Sequence, residues 1–316
     1  MLFRSAFGAR PRDYGLHPNH DELVEWRTTF IDVTVQLGTS GDPTLEVPAR
    51  QIMADTFRGM WNQQAMREIL IDAARKLHEY HPWGEGWKAI RTMIYIHHHT
   101  KCKKSNNVEP IPDCLVALEK ELEPHDLLSK IMMYVLSRVH GPWTLDTDFD
   151  HNDHNKYQAA ERRLTTKAFQ LGEEFAVSSH NFDELGPNLF SNDHMPYRTA
   201  FGRGLAKGGH DLYSAWLKLV EYLEIQPAGY KNLLVFEGFI KEVDSIDPAL
   251  AKVLLDQCAQ HPQLRHGLVE LHPRRNFTEA DLDRCMNIMD DSDIHPSMYE
   301  SILWRDEYGD LSRGRV

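Results

Sequence analysis

The sequence predicts an all-α chain built as a degenerate array of helical hairpins, an α-solenoid in the style of TPR and HEAT repeats. Three observations carry that expectation. Apolar residues recur at i, i+3, i+4 and i+7 through most of the 316 residues, strand-like segments are almost absent, and the breaks between periodic runs are short. A short connection cannot return the chain along a helix, so consecutive amphipathic helices must pack as antiparallel neighbours. No consensus of about 34 or 40 residues aligns through the chain, so the repetition is structural rather than textual.

Residues 1–19, rich in Gly, Pro, Arg and His, read as an irregular lead-in. Met1 to Ser5 resembles the translation of a sequencing-adapter tail, which gives the expectation of an artefactual start and a missing upstream region. An N-terminal helical array is expected over 20–140. Its first helix starts near Asp21, with Leu23, Trp26, Phe30, Val33 and Leu37 on the buried stripe, and ends across Gly38 to Pro43. A second follows from about Pro48. The run 62–80 then places Met66, Ile69, Leu70, Ala73, Ala74 and Leu77 on one face. Helices near 85–99, 112–122 and 125–140 complete this half, the last with Leu128, Ile131, Met132, Val135, Leu136 and Val139 at the same spacing.

Residues 141–155, GPWTLDTDFDHNDHN, lack a helical period and read as a linker. A C-terminal helical array over 156–316 follows. It opens with a long helix at 156–178 carrying Leu164, Ala168, Leu171 and Phe175, then a turn-rich stretch, then a helix near 197–207. The clearest run is DLYSAWLKLVEYLE at 211–224, where Leu212, Trp216, Leu219, Val220 and Leu223 share a face. Phe236, Phe239, Ile240 and Val243 repeat the spacing. Asp247-Pro248 then supplies an N-cap with proline at the first helical position, where its missing N–H costs nothing, ahead of Leu250, Val253, Leu254 and Cys258. Further helices are expected from about Thr278 and after Pro296.

Composition bounds the function. A net charge of −12 argues against general nucleic-acid binding, because phosphate contacts need concentrated Lys and Arg, and KCKK at 101–104 reads as a solvated loop. No apolar run reaches the roughly 18 residues of a membrane span, so no membrane association is expected. The four cysteines, Cys102, Cys114, Cys258 and Cys285, are scattered without a CxxC pair, which fits a reduced, cytoplasmic chain.

The residues that suggest chemistry are few. Asp146, Asp148, Asp150, His151, Asp153 and His154 form an Asp/His loop whose side-chain types ligate divalent metals. An EF-hand is excluded, since His151 and Tyr157 stand where glycine and glutamate are required. Another metal site in this loop, serving a stand-alone all-α metal-dependent enzyme, is the alternative to a polar solvated junction. Consecutive His97, His98 and His99 point about 100° apart on a helix and do not converge as ligands. The segment Gly202 to Gly209 lacks the GxxxxGK[ST] order and the preceding strand of a phosphate loop. Gly202 and Gly204 suit close helix approach instead, and Gly208-Gly209 suits a helix end. With no GxSxG and no cysteine nucleophile signature, no catalytic residue and no cofactor are expected.

The order LAKGGHDLYSAWLKLVEYLE, NLLVFEGFIKEV, DPALAKVLLDQC and HPSMYESILWRDEYGDLS over 205–311 resembles the C-terminal helical array of bacterial STAND-type NTPases. The likeness is clear in the last third of the chain and stylistic before it. It implies a sensor or protein-interaction region of a multidomain defence protein, with ATP chemistry in upstream domains. The absence of a Walker A motif here means that no catalytic residue of that family carries over. The resulting expectation is a non-catalytic scaffold that binds a protein partner.

Overall fold

The computed structural model describes residues 20–95, 110–138, 141–149, 153–193, 195–226, 231–272 and 278–288. The lead-in 1–19, the histidines 97–99, KCKK, Asp150, His151 and the helix expected after Pro296 lie outside them. Every regular element among the described residues is helical: thirteen α-helices with short 3₁₀ turns between them. None of these helices is long and apolar enough to cross a membrane. Contacts divide the chain into two units, Met1–Ser129 with His140–Ala160, and Lys130–Val139 with Glu161–Val316.

In the first unit, α1 (His20–Gly38) and α2 (Pro43–Trp61) pack together across the turn at 39–42. Asp42 caps α2 by accepting from the Thr44 N–H at 2.9 Å, and Pro43 occupies the first turn. Helices α3 (Arg67–Tyr80) and α4 (Gly84–Met93) close over α1 and α2, with Phe57, Met66, Leu70, Leu77, Trp83 and Trp87 forming a buried apolar centre. α5 (Asp113–Glu121) adds Leu115 and Leu118. Helix ends leave carbonyls without partners. Buried Arg50 resolves this by donating to Leu77 O at 2.9 Å, His81 O at 2.6 Å and Pro82 O at 3.0 Å, with a longer reach to Gly38 O at 3.4 Å.

The stripe expected to bury α1 is not the one that does. Ile31, Arg27, Thr34 and Gly38 face inward, whereas Trp26, Val33 and Leu37 are 44%, 48% and 38% exposed. Apolar spacing alone does not say which face meets a neighbour; a Cβ on Gly38 would stand 2.7 Å from the Leu77 side chain, so the Gly38 face is the one pressed against α3.

The chain passes between the units through α6 (Leu127–Tyr134) and α7 (Lys156–Val177). In the second unit, α7 buries Leu164, Ala168, Leu171 and Phe175, all four expected from spacing. α8 (Arg198–Gly208) runs against α7 and α10 (Leu234–Ile246), and glycine makes both contacts possible. A Cβ on Gly204 would lie 2.0 Å from Phe169 O, on Gly202 2.0 Å from Val235 O, and on Gly238 1.9 Å from Thr199 O. The glycine-rich segment is therefore a helix-packing seam. Glu242 of α10 adds an ion pair to Arg203 at 2.8 Å.

α9 (Leu212–Glu224) starts at Asp211, which caps Ser214 N at 3.0 Å, and α11 (Pro248–Gln260) starts at Asp247, which accepts from Ala249 and Leu250. In α11 the inward residues are Ala251, Leu254, Leu255 and Cys258, while Val253 is 47% exposed and does not join them. The short α12 (Leu268–Leu271) and α13 (Glu279–Met286) end the described chain, the latter with a capping box between Thr278 and Asp281.

Candidate functional site

A cavity of about 490 Å³ belongs wholly to the second unit. That falls within the range of ligand-binding clefts, roughly 300–1,000 Å³. Its walls come from the C-terminal end of α7, the turn at 180–183, and the outer face of α9. α9 can do this because it has two apolar-to-polar stripes: Trp216, Leu219 and Leu223 go to the core, while Ser214, Lys218 and Glu221 face the groove with Ile225, 64% exposed, at its end.

Aromatic rings define the apolar side. Phe182 stacks on Tyr222 with centroids 5.8 Å apart, and Phe175 meets Phe182 at 5.4 Å and the His180 ring at 6.5 Å. The turn is rigid. Asn181 N donates to Glu184 Oε1 at 2.9 Å within a capping box, and Glu184 Oε2 bonds His180 Nδ1 at 3.0 Å. Those two bonds hold the Glu184 carboxyl below its ordinary range, the Asn181 N–H contributing most.

The polar groups of the groove are largely engaged in holding it together. Tyr222 OH donates to Gly186 O at 2.7 Å, at a glycine whose φ of +63° suits only a residue without Cβ. Burial, then the charge of Asp183, pushes the Tyr222 phenol upward. It stays protonated as a structural donor. Ser178, His180 and Glu184 have the residue types of a hydrolytic triad, but Ser178 Oγ donates to Phe175 O at 2.8 Å and accepts from His180 N at 3.2 Å. Its bonds go to backbone, not to the imidazole. Ser178 and His180 therefore lack the nucleophile–base hydrogen bond of such a triad.

Of the Asp/His loop, Asp146, Asp148, Asp153 and His154 are among the described residues. Arg91 of α4 ties residues 144–146 to the first unit, donating to Thr144 O at 3.0 Å and Asp146 O at 2.6 Å while pairing with Glu119. Residues 141–149, expected as part of a linker, thus pack within the first unit. Trp143 stacks on Tyr95 at 4.6 Å and meets Tyr157 edge-on at 5.9 Å, an aromatic anchor that the polar composition of the loop conceals. Asp146 is buried; Asp148, Asp153 and His154 are exposed, and Asp153 accepts from Asn155 N at 2.8 Å as a turn residue does. Among the described residues no three His, Cys, Asp or Glu side chains gather to hold a metal.

A second cluster escapes sequence reading altogether. Buried His272 lies 3.9 Å from Cys285 Sγ through Nδ1 and 3.6 Å from Asp281 through Nε2. Nδ1 also meets Leu268 O at 2.7 Å, and Nε2 meets the Arg284 guanidinium at 3.2 Å. A carbonyl only accepts, so the Leu268 contact assigns a proton to Nδ1. The nitrogen facing the thiol is already protonated and cannot take its proton. Cys285 is fully buried as well. The cluster fastens α13 to the second unit. Comparison of the chain with protein-family models, with curated proteins and with solved structures finds no match in any of the three.

Proposed function

We propose that this chain is a non-catalytic α-helical interaction module whose groove between α7, the 180–183 turn and α9 receives a segment of a protein partner. The observation that carries the reading is the groove itself: about 490 Å³, aromatic on one side, with Ser178, His180, Ser214 and Tyr222 committed to structural bonds. Successive helices arranged as a degenerate hairpin array provide the surrounding surface. The free thiols of Cys114, Cys258 and Cys285 suit a reducing, cytoplasmic setting. The resemblance of 205–311 to STAND-type sensor arrays points the same way, to the ligand-sensing end of a larger defence protein.

The test is selection of displayed random peptides on the whole chain, with counter-selection on Ser214→Trp. Ser214 is exposed at the groove wall, so an indole there fills the cleft without entering the core. Clones that share a motif and lose binding to the blocked variant, at an unchanged unfolding midpoint, support the assignment. Clones that bind both forms equally, or no saturable binding at all, sink it.

A further inference from the structure

We infer that the segment received by this groove is cationic: a bulky apolar side chain seated against Phe175, Phe182 and Tyr222, with Lys or Arg beside it facing Asp183 and Glu221. The inference rests on the reading of the chain as a binding module and adds the chemistry of its partner. Charge complementarity carries it. Three carboxylates line the groove, Asp183, Asp211 and Glu221, against the single ammonium of Lys218.

The three acids are not equivalent. Asp211 is spent on the α9 cap, accepting from Ser214 N at 3.0 Å and Ser214 Oγ at 2.7 Å. Asp183 and Glu221 have no hydrogen bond or ion pair through their carboxylates among the described residues and stand exposed at the groove. Asp183 is close enough to Tyr222 to act on its phenol, so its charge reaches the aromatic wall where the apolar side chain would sit. An acidic or neutral segment would leave these carboxylates desolvated without a partner, which costs affinity. A basic segment satisfies both. Exposed pairs of this kind act mainly through selectivity and salt-sensitive association.

The groove-dependent peptides from the selection above supply the probes. Their sequences are expected to be enriched in Lys or Arg next to an aromatic or large aliphatic residue. Labelled copies, measured by fluorescence anisotropy, should bind the Asp183→Asn, Glu221→Gln double variant about fivefold more weakly, with a shallower salt dependence. Lys218→Gln should bind them more tightly, a gain that misfolding cannot produce. Groove-dependent peptides that are neutral or acidic, or affinities indifferent to both changes, overturn the cationic assignment while leaving the binding-module reading intact. Absence of any groove-dependent peptide removes both.

Discussion

At the scale of single residues, burial and bonding separate packing side chains from recognition side chains. Trp216 is 1% exposed, meets Phe236 edge-on at 5.3 Å, and donates its Nε1–H to Gln257 at 2.9 Å. Trp216→Ala should lower stability by about 3–5 kcal/mol, read from the denaturant midpoint. A small change in midpoint would mean that the ring is not core. This residue was legible from spacing alone, because it shares a stripe with Leu219 and Leu223. Arg50 was not: a charged residue in a helix reads as solvated, and only the tertiary structure brings it under the ends of α1 and α3. Arg198 repeats the pattern, fully buried and donating to Ser191 O and Asn188 O at 2.6 Å, its pKa drawn down to about 10 by burial. Arg50→Lys should cost about 1–3 kcal/mol, since one ammonium cannot span carbonyls that a planar fork reaches together. Equal stability of the two chains would show that those carbonyls find other donors.

At the scale of elements, the seam around α8 opposes two rules. Alanine raises helix propensity over glycine by roughly 1 kcal/mol, so Gly202→Ala and Gly238→Ala would stabilise isolated helices. In this packing each added Cβ meets a backbone carbonyl at 2.0 or 1.9 Å, and backbone has no rotamer through which to yield. Both variants should therefore lose stability, by about 1–3 kcal/mol net of the propensity gain. A raised melting temperature for either would mean that the helices separate easily. The sequence made the seam readable as close approach but could not say what lies opposite it. The same blindness misplaced the inward face of α1: apolar periodicity selected Trp26, Val33 and Leu37, whereas packing buries Ile31, Thr34 and Gly38. The groove was hidden for a related reason, being assembled from 175–183 and 209–225 with Leu205 and Phe239; its sequence signal is the second stripe of α9.

The clamp on α13 gives this element a pH dependence. Burial raises the Asp281 carboxyl, but hydrogen bonds from Thr278 and Arg284, with His272, outweigh it and leave the pKa lowered. The unfolded chain then takes up that proton at higher pH than the folded one. Asp281 accordingly contributes its full stabilisation above the ordinary aspartate pKa and loses it as pH falls through the folded value. Between about pH 5 and pH 2.5 the unfolding midpoint of the native chain should fall more steeply than that of Asp281→Asn. Parallel curves would remove Asp281 from the clamp.

At the scale of the molecule, neither unit is one continuous stretch of chain, and this is what sequence composition could not reveal. Polar residues at 141–155 mark a break in helical periodicity, which suggests cutting the chain there. Contacts instead assign 130–139 to the second unit and 140–160 to the first. In the second unit Lys167 lies over the Tyr134 ring at 5.2 Å, and Arg138 pairs with Asp193. Ile131, Val135 and Leu136 are all buried, at 0%, 1% and 3% exposure. Each such side chain is worth about 1.5–3 kcal/mol on burial, and a domain has only about 5–15 kcal/mol in total. A fragment of 156–316 therefore lacks a share of its core comparable to its whole stability, whereas a fragment of 130–316 keeps it. The shorter fragment should bind a hydrophobic dye and lose a cooperative thermal transition, and the longer one should melt cooperatively. Equal cooperativity would show that 130–139 contributes nothing to the second unit and that its boundary lies at the polar break after all.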